Sequence, residues 1–325
     1  MSDPFNIATD NEFETYALEL FQVQYLRNPV YRQFCELLTI DPKTVLKTED
    51  IPYLPIEFFK SKEVYCGTPP KFYFSSSGTT TSINSKHFIK DLDHYTKSFR
   101  TAFNQFYGPV EEYCILALLP SYLEREGSSL IYMAEELIKE SKHLNSGFYL
   151  NEFELLAQTL KELSLTATKT LLIGVSFALL DFVERYQFNL NNVIIMETGG
   201  MKGRRKELIR PELHQRLKDG FGVHTIHSEY GMTELLSQAY SKGNGLFKTP
   251  SWMRVSIRDT RDPLSLIGTQ KTGGINIIDL ANKESCAFIA TEDLGKTHTD
   301  GSFEVLGRFD KSAIRGCNLM VMDPL

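Results

Sequence analysis

Residues 72–87 read FYFSSSGTTTSINSKH, a short aromatic run followed by a stretch of hydroxyl side chains. Phe72–Phe74 predicts a strand, and Ser75–Thr81 predicts a polar loop directly after it. Gly78 allows a sharp turn and close approach to a ligand, while clustered hydroxyls and backbone N–H groups suit a phosphate. The segment lacks the GxxxxGK[ST] spacing of a Walker A motif. Composition alone therefore leaves a phosphate site and an ordinary serine-threonine loop as alternatives.

The apolar pattern around this segment predicts an α/β fold with a mostly parallel sheet and flanking helices. Tyr113–Leu119 is a continuous apolar run typical of a buried strand. Strands and helices alternate from there to about residue 227, which favours parallel strands. We predict strands over residues 170–173, 192–196 and 223–227, and helices over residues 11–38, 91–106, 128–138, 177–184 and 205–219.

The predicted domain organisation is a core over residues 1–307 and a short tail over residues 308–325. The first 70 residues or so have helical spacing. From about residue 250 to residue 307, strands and turns dominate, which predicts a small β subdomain.

Composition excludes several classes of protein. Of the 325 residues, 42% are hydrophobic and 23% are charged, as in an ordinary globular protein. A net charge of −6 argues against a nucleic-acid partner. No apolar run reaches the length of a membrane span, and the polar N-terminus does not resemble a signal peptide. The five cysteines are scattered without a CxxC pair, which predicts a reduced, cytoplasmic protein without a disulfide framework or zinc site.

Further motifs follow the hydroxyl-rich loop in a fixed order. Tyr230–Glu234 reads YGMTE, Thr291–Gly295 reads TEDLG, and Gly307–Asp310 reads GRFD. Together with Ser76–Thr80, they resemble the motifs of the adenylate-forming superfamily, which contains acyl-CoA synthetases, aryl-CoA ligases, firefly-type luciferases and peptide-synthetase adenylation domains. The resemblance implies the large-domain fold of that superfamily, ATP and Mg²⁺ as cofactors, and a carboxylic acid substrate.

The resemblance also implies a role for each motif residue. The residues expected to hold the β- and γ-phosphates are Ser76, Ser77, Gly78, Thr79 and Thr80. Those expected around the rest of the nucleotide are Gly199, Gly200 and Tyr230 at adenine, Gly231 within the same motif as a further nucleotide-binding residue, Asp293 at the ribose, Arg308 near ribose or phosphate, Thr233 at the α-phosphate and Glu234 on Mg²⁺. Carboxylates suit both the ribose hydroxyls and the hard cation. Taken singly, each residue also has a structural alternative, such as a core aromatic for Tyr230 or a helix cap for Glu234.

Three more segments narrow the resemblance. Leu119–Arg125 reads LPSYLER, Thr198–Arg204 reads TGGMKGR, and Arg315–Leu319 reads RGCNL. These are similar to the acyl-protein synthetase branch of LuxE type, which activates a fatty acid with ATP and passes the acyl group to its own cysteine. Cys317 is the acceptor that this resemblance implies, with Cys66 as its rival and a buried structural role as the alternative. Since the sequence ends soon after the GRFD motif, we also expect the superfamily's usual C-terminal domain to be absent.

The predicted function is ATP-dependent activation of a carboxylic acid, most simply a fatty acid, to an acyl-adenylate with release of pyrophosphate. Transfer of the acyl group to a thiol, in the first place that of Cys317, completes the predicted reaction. One alternative is an AMP-forming acyl- or aryl-CoA ligase that uses free coenzyme A. Another is a non-catalytic nucleotide-binding subunit of an acyl-transfer or reductase complex. The expected partners are the acid and an acyl-accepting or reductase protein.

Overall fold

A computed structural model of the chain describes residues 2–76, 84–120, 127–150, 152–199 and 208–309. The α-helices in these ranges are α1 (Asp10–Arg27), α2 (Pro29–Leu37), α3 (Phe58–Ser61), α4 (Leu92–Tyr107), α5 (Ser129–Ser141), α6 (Phe153–Ser164), α7 (Ser176–Arg185) and α8 (Arg210–Phe221). Short 3-10 helices cover Pro4–Asn6, Pro42–Thr44, Thr48–Asp50 and Val110–Glu112. Caps define several helix starts. Thr9 and Glu12 form a capping box on α1, and the side chain of Asp91 caps α4.

The strands in the same ranges are β1 (Leu54–Pro55), β2 (Phe72–Ser75), β3 (Lys86–Ile89), β4 (Tyr113–Leu118), β5 (Gly147–Phe148), β6 (Lys169–Val175), β7 (Val193–Thr198), β8 (His227–Tyr230), β9 (Ala239–Ser241), β10 (Phe247–Lys248), β11 (Met253–Arg258), β12 (Leu266–Ile267), β13 (Gly273–Asp279), β14 (Phe288–Thr297) and β15 (Phe303–Arg308). Only β2 and β3 stand apart among these, as an antiparallel hairpin.

The large sheet has a parallel part and an antiparallel part. Its order is β12-β11-β13-β14-β15-β10-β9-β8-β7-β6-β4-β5, with β1 pairing beside β14. Strands β5, β4, β6, β7 and β8 run parallel, whereas β8 to β12 along the order are joined by antiparallel pairs. The predicted α/β class is confirmed. The β-rich part expected after residue 250 continues the same sheet as antiparallel strands.

Two elements differ from the sequence expectation. The strand predicted over residues 223–227 instead begins at His227. Gly222 ends α8 in the left-handed conformation, with φ of 65°, and residues 223–226 form a connection before the strand, in which His224 and Thr225 are exposed. Helix α6 was not predicted, although it buries one face through Leu156, Leu160 and Leu163. No helix in the described ranges is both long and apolar enough to cross a membrane.

Candidate nucleotide site

The candidate site lies where the parallel strands end. The ladder between β7 and β8 pairs Thr198 with Glu229, so its next step brings Gly199 beside Tyr230. Gly199 has a φ of 64°, a left-handed conformation that favours glycine at this turn. The carboxyl ends of parallel strands are a common place for ligands in α/β sheets. Two of the residues expected at adenine therefore lie next to each other at this edge.

Tyr230 and Asp293 form a buried hydrogen-bonded pair. The Tyr230 hydroxyl donates to Asp293 Oδ2 over 2.8 Å, and the Tyr230 ring packs edge-on against Phe247 and Phe303. Asp293 faces Arg308 across the β14–β15 pair, where Arg308 Nε lies 3.4 Å from Asp293 Oδ1. The structure thus brings together three predicted site residues that are far apart in the sequence.

The charge on Asp293 reflects opposing effects. Burial raises the pKa of the Asp293 carboxyl above its ordinary value, although Arg308 and the Tyr230 hydroxyl oppose that shift. The side chain of Arg308 is 80% exposed, so its positive charge acts from the solvent side. Since Tyr230 occupies Oδ2, it is Oδ1, on the side of Arg308, that is placed to accept hydrogen bonds from a ribose hydroxyl.

The base of the hydroxyl-rich loop lies against Glu234. The Ser76 backbone N–H donates to the Ser85 carbonyl over 3.1 Å, and the Ser85 N–H donates to Ser76 Oγ over 2.8 Å. Ser85 in turn hydrogen-bonds the Glu234 carboxylate and lowers its pKa, against a larger effect of burial that raises it. The start of the predicted phosphate loop and the predicted metal carboxylate are therefore linked through Ser85.

Glu234 and Ser85 could bind a magnesium ion only together with further ligands from the nucleotide. Mg²⁺ prefers carboxylate and hydroxyl oxygens, and Glu234 and Ser85 supply these two types. In the described ranges, no cluster of three or more His, Cys, Asp or Glu residues could hold a metal. The remaining ligands would have to be phosphate oxygens and water.

A buried histidine links the loop strand to the YGMTE segment, and the sequence did not reveal this link. His87, on β3, places Nδ1 2.8 Å from the Thr233 carbonyl oxygen and Nε2 3.1 Å from Asn282 Oδ1. Asn282 Nδ2 donates to the Glu234 carbonyl oxygen over 2.9 Å. Burial lowers the pKa of His87 to about 4. The ring is therefore neutral at pH 7 and donates to one of the two oxygens at a time.

His227, beside the motif in sequence, lies away from this network. Its Nδ1 is 3.1 Å from the Tyr107 hydroxyl at the end of α4. Burial lowers its pKa to about 4, and the nearby Lys242 acts in the same direction. His227 lies three positions before Tyr230 along the strand, a distance of about 10 Å. This position favours a structural role for His227.

Two buried carboxyls beneath the site also escaped sequence analysis. Glu197 accepts hydrogen bonds from Ser176 Oγ at 3.1 Å and from Arg210 and His214. Burial raises the pKa of Glu197, but Arg210 and these hydrogen bonds bring it below its ordinary value. Glu229 instead accepts from the Thr198 hydroxyl, and burial raises its pKa to about 7. The sequence signal that could have revealed Glu229 is a glutamate within the short strand sequence HSEY, whose last three residues are buried.

Several predicted site residues lie outside the described ranges, namely Ser77, Gly78, Thr79, Thr80, Gly200 and Cys317. Each of the other four cysteines, Cys35, Cys66, Cys114 and Cys286, is buried. Burial raises the pKa of Cys66 to about 12. Cys66 was the predicted rival acceptor, and the structure contradicts that role because a buried, protonated thiol is a poor nucleophile.

Comparison with known proteins shows likeness at the level of the fold. No protein-family model matches the chain, and no curated protein sequence matches it. ATP-bound MatB from Rhodopseudomonas palustris has 14% identity and a TM-score of 0.55, covering 73% of this chain and 47% of MatB. A 2-hydroxyisobutyryl-CoA ligase in the postadenylation state with R3-HIB-AMP has 12% identity and a TM-score of 0.67, covering 93% of this chain and 68% of the ligase.

The same ligase with 2-HIB-AMP and CoA in the thioesterification state has 14% identity and a TM-score of 0.64, covering 94% of this chain and 70% of the ligase. The chain spans about half the length of MatB and about two thirds of the ligase. Its fold is the α/β fold of adenylate-forming enzymes, as predicted. At sequence identities of 12–14%, this likeness establishes the fold, and the activity has to be inferred from the residues of the site.

Proposed function

We propose that this protein activates a carboxylic acid with ATP and passes the acyl group to a thiol. In the first step, a carboxylate oxygen bonds to the α-phosphorus of ATP, and the bond to pyrophosphate breaks. In the second step, a thiol attacks the acyl carbon and AMP leaves. The observation that carries the proposal is the set of contacts made by the segment Tyr230–Glu234. At its first residue, Tyr230 hydrogen-bonds Asp293, and at its last residue, Glu234 is linked through Ser85 to Ser76.

The proposed roles follow from chemistry that consists mostly of positioning and charge neutralisation. Asp293 Oδ1 accepts from the ribose, and Arg308 neutralises negative charge beside it. Glu234 would hold Mg²⁺, which would neutralise negative charge on the phosphates. The loop that begins at Ser76 surrounds the β- and γ-phosphates, and Thr233 contacts the α-phosphate.

The named states of the solved neighbours support this reaction class. MatB is named as ATP-bound, and the 2-hydroxyisobutyryl-CoA ligase is named with an acyl-AMP and CoA. These states match the two steps proposed here. Their names do not select an acid or an acceptor for this chain.

For the acceptor we propose Cys317, in the manner of an acyl-protein synthetase acting on a fatty acid. The burial of Cys35, Cys66, Cys114 and Cys286 supports this choice, because burial raises the pKa of each thiol and withdraws it from reaction. Free coenzyme A is the competing acceptor. In either case, we propose residues 1–307 as the adenylating core.

ATP–pyrophosphate exchange across a panel of acids tests adenylation, and hydroxylamine trapping of the acyl group confirms the product. We expect Asp293→Asn and Glu234→Gln to reduce exchange by about a hundredfold. The exposed Glu212→Gln on α8 should retain wild-type exchange. ATP binding without exchange for any acid would instead support the non-catalytic subunit.

The acceptor needs a separate test. Cys317→Ser should keep pyrophosphate exchange and lose the thioester that forms with a radiolabelled acid. A thioester that persists in this variant, or that forms only when coenzyme A is added, would reject Cys317 as the acceptor.

A further inference from the structure

Glu229 lies on the face of β8 opposite to Tyr230, the residue proposed at adenine. Successive residues of a strand point to opposite faces, so Tyr230 and Glu229 point in opposite directions. Pairing with β9 sets Glu229 opposite Tyr240, and the next residues of the same face are Gly231 and Gln238. Glu229, Gln238 and Tyr240 therefore share the face of Gly231 and point away from the face of Tyr230.

The Glu229 carboxyl is a buried acceptor without a counter-charge. The residue is 7% exposed, and Oε2 accepts a hydrogen bond from the Thr198 hydroxyl. Glu197 lies nearby, and its like charge raises the pKa of Glu229 further. No cationic side chain in the described part of the chain pairs with Glu229. Burying a carboxylate with one hydrogen bond and no counter-charge is costly, so a further hydrogen-bond donor would stabilise it.

Gln238 adds a second acceptor at the same place. It is 4% exposed, and its Oε1 has no hydrogen-bond partner among the described residues. Nearly all buried polar side-chain atoms in proteins have a partner, so an unpaired amide oxygen points to a missing ligand or water. The two side chains come from opposite ends of the connection between β8 and β9.

Gly231 lies directly against the Glu229 carboxyl. It is exposed, and a Cβ built on it would lie 2.4 Å from Glu229 Oε1 and 3.3 Å from Gln238 Cγ. The missing side chain therefore leaves room for Glu229 Oε1 beside an exposed stretch of backbone. A group that approaches Gly231 on this face meets Glu229 Oε1 first, with the Gln238 side chain as its neighbour.

We propose that Glu229 and Gln238 bind a hydrogen-bond donor on the acid substrate, so that the enzyme selects an acid with a hydroxyl or ammonium group near its carboxyl. This inference rests on the proposed function, in which Thr233 contacts the α-phosphate that the carboxylate attacks. Thr233 lies two positions after Gly231, a span of at most about 7 Å. The donor therefore lies on one of the first few carbons of the acid, and a hydroxylated fatty acid satisfies both proposals.

Matched acids test the selection in the full-length chain by ATP–pyrophosphate exchange. The sets are butyrate, 3-hydroxybutyrate and 3-aminobutyrate, and decanoate, 3-hydroxydecanoate and 3-aminodecanoate, with the 2-substituted acids added. For the wild type we expect kcat/KM at least about tenfold higher for a donor-bearing acid than for its plain partner. Hydroxy and amino acids form separate arms, so the assay identifies which donor is bound.

Substitutions then assign the preference to this subsite. Glu229→Leu should bring the ratio between donor-bearing and plain acids to about one while exchange with the plain acid persists. Glu229→Gln should keep a preference for hydroxyl and lose one for ammonium. Gln238→Leu should reduce the ratio severalfold and provides an independent test if Glu229→Leu unfolds in thermal melting. Glu212→Gln is the control for removing a carboxylate.

Two results would overturn the inference while leaving adenylation intact. One is wild-type exchange that is equal for plain and donor-bearing acids, as expected if protonated Glu229 simply donates to Gln238. The other is a preference that survives both Glu229→Leu and Gln238→Leu. Exchange with none of the acids would overturn the proposed function, and this inference with it.

Discussion

Removing one hydroxyl, with Tyr230→Phe, isolates the hydrogen bond at the centre of the candidate site. The variant keeps the ring and its packing against Phe247 and Phe303 but cannot donate to Asp293 Oδ2. Hydrogen bonds to charged groups contribute about 1.5–3 kcal/mol. Arg308 offsets little of the loss, because an exposed ion pair is worth about 0–1 kcal/mol. We expect the free energy of unfolding to fall by about 2 kcal/mol at pH 8.

The pH dependence makes this prediction specific. Burial already raises the pKa of Asp293 above the unfolded value of 3.8, and loss of the Tyr230 donor raises it further. A carboxyl whose pKa is raised by folding binds its proton more tightly in the native state, so its ionisation costs stability as pH rises. The deficit of the variant should therefore be small near pH 4.5 and grow as pH increases to 8.

Urea unfolding at both pH values measures the deficit, with Tyr25→Phe, a half-buried tyrosine on α1, as the matched control. The same variant tests the site, since it leaves Asp293 without its partner and should raise the KM for ATP by about tenfold with a smaller change in kcat. An unfolding free energy within about 0.5 kcal/mol of wild type at pH 8, or a deficit that is independent of pH, would refute the reasoning.

Other regions give independent predictions. Gly222→Ala should lower the free energy of unfolding by about 1–3 kcal/mol, because φ at this position is 65° and the new Cβ would lie 2.5 Å from the Phe188 carbonyl oxygen. A melting temperature equal to that of the wild type would contradict this backbone geometry. The pKa of His87, about 4 in the fold against an ordinary 6.5, means that the neutral ring stabilises the protein above pH 6.5 and that about 3 kcal/mol is lost as pH falls towards 4. His87→Asn should flatten that pH profile, and an equally steep profile in the variant would exclude His87 as its cause. A thiol-reactive reagent should label at most one cysteine of the native protein rapidly, because Cys66 and three other cysteines are buried. Cys317→Ser should abolish this rapid labelling. Rapid labelling of Cys66 would contradict its burial.

Elements with a strong local pattern were predictable from the sequence. The continuous apolar run at Tyr113–Leu118 is fully buried as β4, and α4 begins after its Asp91 cap within one residue of the expected position. The local pattern failed to predict where β8 begins. The apolar residues after Gly222 suggested a strand from residue 223, but residues 223–226 connect α8 to the sheet, and β8 begins at His227.

The sequence predicted the candidate site as a set of motifs and gave no sign of the contacts that connect those motifs. The order of the motifs indicated a nucleotide site, yet nothing in the sequence joined His87 to Asn282, which is 195 residues away. Pairwise contacts at that separation leave no periodicity to detect. The unpaired amide oxygen of Gln238 likewise became visible only when each buried polar atom could be matched to a partner.

Strand β8 joins the two parts of the sheet, pairing parallel with β7 and antiparallel with β9. One step along this strand, from Glu229 to Tyr230, crosses from one face of the sheet to the other. Under the proposed function, a substitution at Glu229 would therefore change the surroundings of the acid, whereas a substitution at Tyr230 would change those of the nucleotide.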